Sequence, residues 1–154
     1  MSREQIYAVL IALHEDTLLL PNAAVAEVLS REALQAGGDG PDWLLGYCEW
    51  NNRRVPVLQF ESLNGAGGAP DRRRERIVVI NSLGRHLANA QLAFVTQGYP
   101  HLVTLNRSAV RAAELRDRDR SDLVLSRVRI ANQEALIPDL DAIEAEVMRA
   151  QLVS

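Results

Sequence analysis

Acid–base, nucleophilic or metal chemistry would have to come from three histidines, one cysteine and some well-placed acids. His14, His86 and His101 each fall beside a turn and read as solvated side chains. Neither they nor Cys48 show the ligand spacing of a zinc site such as CxxC or HExxH. Cys48 lies inside an apolar run, which favours inert packing over a reactive thiolate. Glu49 and Glu61 stand near the two ends of one stretch and could form a carboxylate pair. Acid–base work would need one of them buried with a raised pKa, so the expectation is two solvated strand-edge acids. Gly65-Ala66-Gly67-Gly68 lacks the lysine and helix start of a phosphate loop and reads as a flexible link. The sequence therefore predicts no enzyme, no metal and no cofactor.

Binding chemistry has one concentrated candidate, Arg72-Arg73-Arg74-Glu75-Arg76. A small β-barrel with a basic loop could bind RNA. No aromatic-rich strand adjoins the cluster to stack bases, and aromatics are only 5% of the chain. A net charge of −3 gives no global attraction to nucleic acid or to an acidic membrane. A solvated loop balancing nearby acids is the simpler reading, with an RNA-binding module as the alternative function.

The elements that must position these residues are mostly short strands. At 154 residues the chain fits one domain, and 47% hydrophobic with 24% charged residues is a globular composition. Trp43–Phe60 is the centre: two apolar-rich runs flank Asn51-Asn52, a pair that suits a two-residue hairpin turn because asparagine tolerates positive φ. Trp43, Leu45 and Tyr47 should point one way, and Leu44, Cys48 and Trp50 the other. In the second run Val55 and Val57 oppose Pro56, Leu58 and Phe60. Neither run alternates apolar with polar, so the hairpin should be covered on both faces, with Arg53 and Arg54 at its wet end.

Gln5–Leu13 and Thr17–Leu20 form another strand pair, stopped at Pro21. Asn22 is a plausible N-cap for a helical turn over Ala23–Leu29, with Val25, Val28 and Leu29 inward and Glu27 outward. Glu32–Asp42 and Gly65–Glu75 read as loops, the latter the more mobile. Arg76–Asn81, Gln91–Thr96, His101–Leu105, Asp122–Ile130 and Ala135–Ile137 read as strands, while Ala109–Arg120 is ambiguous. Leu140, Ile143 and Val147 follow helical spacing after Asp139, predicting a terminal helix from about 139 to 151. The class is mainly β with a C-terminal helix. No run approaches transmembrane length. An acid precedes the first apolar run and no small-residue cleavage site follows it, so a cytoplasmic protein without direct membrane insertion is expected.

Two stretches carry a family resemblance. Trp43, Gly46 and Val55-Pro56-Val57 resemble the signature hairpin "G-V-x-N-x-R-G-x-x-V-P-V" of CheW-like coupling proteins, with Asn51 where that family usually has arginine. Leu20-Pro21 followed by Val25, Glu27 and Val28 looks like the family's "L-P-x-x-x-V-x-E-V" element. The resemblance implies two small five-stranded SH3-like barrels on a shared core within a single domain, 1–154. It implies a non-catalytic adaptor that joins the regulatory domain of a CheA-type histidine kinase to the cytoplasmic tip of a methyl-accepting chemoreceptor. The residues it marks for partner binding are Val25, Glu27, Gly46, Asn51, Arg53, Val55 and Pro56. LLG-Y-x-E-W and VPVLQFESLNG look closest to the CheW-like proteins of type IV pilus, or twitching, systems.

Overall fold

The computed structural model describes residues 5–13, 15–36, 41–63, 74–82, 91–106, 108, 110–115, 120, 122–130 and 132–153. In chain order the strands are β1 (Gln5–Ala12), β2 (Thr17–Pro21), β3 (Val25–Ser30), β4 (Gln35–Ala36), β5 (Leu44–Trp50), β6 (Arg53–Leu58), β7 (Glu75–Asn81), β8 (Gln91–Gln97), β9 (His101–Asn106), β10 (Val110–Ala113), β11 (Val124–Ile130) and β12 (Gln133–Pro138). The helices are α1 (Phe60–Leu63), a single turn, and α2 (Leu140–Val153).

These strands pair into two sheets, β10-β11-β12-β2-β1-β9 and β3-β7-β8-β6-β5-β4. The mainly β class, the two β units and the C-terminal helix are as the sequence implied. Each sheet has six strands where five were expected. In the first, the ambiguous segment contributes β10, which pairs Val110 with Ile130 and Ala113 with Arg127. In the second, β3 and β4 arise from stretches read as a helical turn and a loop.

Alternation along each strand builds three apolar layers. Val9, Ile11 and Leu18 of the first sheet meet Leu58, Val78, Ile80, Leu92 and Phe94 of the second, with Phe60 of α1 and Ile143 and Val147 of α2. This layer is the shared core, and the edge-to-face contact of Phe60 with Phe94 lies within it, with ring centroids 5.9 Å apart. The opposite faces have their own cores: Cys48, Val55, Val57, Ile77, Val79, Ala93 and Val95 in the second sheet, and Ala8, Leu19, Leu105, Val128 and Ala135 in the first. A sheet buried on both faces needs apolar residues at consecutive positions, which is why Ile77–Ile80 and Leu92–Val95 read as unbroken runs.

The helical turn expected over Ala23–Leu29 is corrected. Only Asn22–Ala24 forms a 3₁₀ turn, whose N-cap position is Pro21 with no side-chain cap, and the chain then runs extended as β3 along β7. Val28 follows Val25 by three positions, a spacing that suggested a helix, yet both pack on the shared core. A β-bulge reconciles the two: Val25 pairs with Ile80 and Glu27 with Val79, so Ala26 is the extra residue that shifts the phase.

A second bulge corrects the expected faces of β5. Leu44 pairs with Leu58 and Gly46 with Val57, so Leu45 is inserted. Leu44 then packs on the shared core, while Leu45 joins Cys48 and Trp50 on the other side. Helix α2 starts where expected, with Asp139 Oδ1 accepting from the Ala142 N–H at 3.1 Å.

Candidate functional site

The β5–β6 hairpin is organised by its turn. Asn51 and Asn52 have φ of 54° and 61°, the paired positive values of a type I′ turn, whose twist matches that of the flanking strands. Trp50 accordingly pairs with Arg53. Asn51, Asn52, Arg53 and Arg54 are all exposed.

The other hairpin residues marked for partner binding lie inside. Val55 is fully buried in the core of the second sheet, and Gly46 and Pro56 are buried as well. Gly46 has φ +151°, and a Cβ there would sit 2.2 Å from the Gln35 carbonyl oxygen. The glycine lets β4 approach β5 closely. These three residues present no side-chain surface to a partner and instead build the hairpin.

Val25 and Glu27 stand on β3, the terminal strand of its sheet. Val25 is partly buried against the shared core and Glu27 is exposed. The expectation that Glu27 points outward therefore holds, though on a strand edge rather than a helical turn. The seven marked residues divide into an exposed hairpin tip, an exposed strand edge and a buried frame.

The chemical candidates separate too. Cys48 is fully buried, and burial holds its thiol above the ordinary value. His101 is exposed at the start of β9, while His14, His86, Gly65–Gly68, Arg72 and Arg73 lie outside the described residues. Glu49 is exposed. Glu61 corrects the expectation of a solvated acid: it is 6% exposed. Its Oε2 accepts from the backbone N–H groups of Glu15 at 2.5 Å and Asp16 at 3.1 Å. One turn after β6, this carboxylate ties the second sheet to the β1–β2 turn of the first.

Sequence reasoning missed the ion pairs beside that tie. Arg127 on β11, paired with Leu136 of the shared core, is buried. Its guanidinium lies 3.6 Å from Asp16 Oδ1 and 3.4 Å from Glu134 Oε1. Arg129 shares the strand face of Arg127 and is exposed, so no local pattern marked Arg127 as the charge that would be buried and paired. On α2, Glu144 is fully buried and accepts a hydrogen bond from Ser82. These acids carry structure, through buried hydrogen bonds and ion pairs.

The cavity in the first sheet, about 390 Å³, is lined by apolar side chains that include Ile6, Ala8, Leu19, Leu105, Val110 and Ile137. No group of three or more His, Cys, Asp or Glu among the described residues could hold a metal ion. No helix among them is long and apolar enough to cross a membrane. In the basic cluster, Arg76 lies over the Tyr99 ring at 5.1 Å and donates to the Glu75 carbonyl at 2.8 Å. Glu75 in turn accepts from Arg31 Nε at 3.0 Å.

Two sheets on one shared core, with marked residues that form a buried frame and an exposed surface, make a mainly β domain. A CheW-like domain model matches residues 8–147. The chain belongs to the CheW-like domain family. Its structure is similar to that of the scaffolding protein TtCheW from Thermoanaerobacter tengcongensis, with a TM-score of 0.73 over 89% of this chain and 90% of that one. Sequence identity there is 15%, so the likeness is one of fold. No curated protein sequence matches the chain.

Proposed function

We propose that this protein is a non-catalytic signal-transduction adaptor that couples a chemoreceptor to a CheA-type histidine kinase. Family membership over residues 8–147 carries the reading. One surface takes the regulatory domain of the kinase and another the cytoplasmic tip of the receptor. When both sites act through one rigid body, each partner can bias the affinity of the other. Glu27 on the free edge of β3 belongs to the kinase surface, and the Asn51–Arg54 tip to the receptor surface. An adaptor of this kind works in the cytoplasm, and the LLG-Y-x-E-W phrase supports a role in twitching motility.

The test is a titration of the purified chain against the kinase regulatory domain and the receptor tip encoded in the same genome, separately and together. Saturable binding to both, with a ternary complex, is expected. Binding to neither, or steeply salt-dependent binding to RNA in their place, would overturn the proposal.

A further inference from the structure

The type I′ turn uses Asn51 and Asn52 to reverse the chain and places no charge at the apex of the hairpin. The cations stand one step back, and alternation sends them to opposite faces. Arg53, paired with Trp50, is on the face of Val55 and Cys48, whereas Arg54 shares the other face with Glu49, Tyr47 and Pro56. Two arginines against one glutamate give this tip a local positive charge on a chain of net charge −3.

Arg54 does not spend that charge on its neighbour. Glu49 is its cross-strand partner, yet the Arg54 guanidinium carbon lies 3.8 Å from the Tyr47 ring centroid. That distance is a close cation–π stack. Tyr47 is half-buried, so the ring is a fixed platform. Stacking uses the flat face of the guanidinium and leaves the N–H donors around its edge, a planar fork that matches a carboxylate. Arg54 is exposed, and no carboxylate among the described residues pairs with it.

We infer that Arg54, held on Tyr47, is a preformed docking point for an aspartate or glutamate side chain on the receptor tip. Pre-ordering removes part of the side-chain entropy that an exposed arginine otherwise loses on binding. Glu49 beside it disfavours a second carboxylate and so restricts which acidic surfaces fit. The inference rests on the adaptor reading, because it names a contact that the receptor makes with the tip assigned to it.

The experiment measures affinity of the wild type, Arg54→Ala, Arg54→Lys and Tyr47→Leu for the kinase regulatory domain and the receptor tip at low and moderate salt. Arg54→Ala should weaken binding to the receptor tip tenfold or more and flatten its salt dependence, with kinase binding near wild type. Arg54→Lys keeps the charge but loses the fork, and should recover only part of that loss. Tyr47→Leu should fall between them, because the arginine remains without its platform. Equal affinity of all four proteins for the receptor tip would overturn the inference while leaving the adaptor reading intact, as would full recovery by lysine. Failure of the wild type to bind either partner would overturn both.

Discussion

The hairpin β5–β6 and the edge strand β3 both carry the family pattern, yet they use it in opposite ways. In the hairpin, Gly46, Val55 and Pro56 are buried and determine how the backbone packs. On β3, Glu27 is exposed on a terminal strand, with Val25 partly buried beside it. A shared motif therefore mixes residues kept for architecture with residues available for recognition, and burial separates them. Substitutions in the frame should cost stability, and substitutions on the edge should cost affinity.

The sharpest contrast uses a residue in neither motif. Arg127→Met removes the buried guanidinium that pairs with Asp16 and Glu134 and should destabilise the fold by about 3–5 kcal/mol, read as a fall in the denaturant midpoint. Replacing Asp16 by leucine in the same chain should recover much of that loss. If the single variant proves as stable as the wild type, the buried pair does not hold the β1–β2 turn in place.

Gly46→Ala comes next. Its Cβ would meet the Gln35 carbonyl at 2.2 Å, so β4 must move away or β5 must strain, at about 2–4 kcal/mol. The melting temperature should fall while affinity, measured well below it, stays near wild type. Weaker binding without loss of stability would make the glycine part of the recognition surface and break the comparison.

A smaller effect is expected at the turn. Asn52→Val puts a β-branched residue at φ 61° and should cost about 1–2 kcal/mol. Asn52→Gly should be neutral or slightly stabilising. Cys48 gives a check that alters no residue: burial raises its pKa, so the native protein should resist a thiol reagent at pH 8 that modifies the denatured chain at once. Rapid modification of the native chain would mean that the hairpin core opens readily.

How much of this was legible in the sequence depended on whether a segment kept its period. The Asn51-Asn52 turn, the inward Val55 and Val57, and the α2 start at Asp139 follow from local chemistry. The bulges at Ala26 and Leu45 did not. Each inserts one residue and flips the faces that follow, so β3 imitated helical spacing and Leu44 was assigned to the wrong side. The burial of Glu61 and Arg127 was hidden for another reason. Their partners, the Glu15–Asp16 turn and Asp16 itself, lie 45 to 111 residues away, beyond any local pattern. For the surface, the outward Glu27 could be read from the sequence. The Tyr47–Arg54 stack could not, because it depends on cross-strand register and on which way a side chain turns.

The division between frame and recognition surface meets its most direct test at Glu27. The wild type and Glu27→Lys would be titrated against the kinase regulatory domain, with thermal melts of both proteins alongside. An exposed edge acid contributes through charge complementarity, so the variant should bind several-fold to about tenfold more weakly, with an altered salt dependence and an unchanged melting temperature. Unchanged affinity in a folded variant would contradict the account and move the kinase surface away from β3.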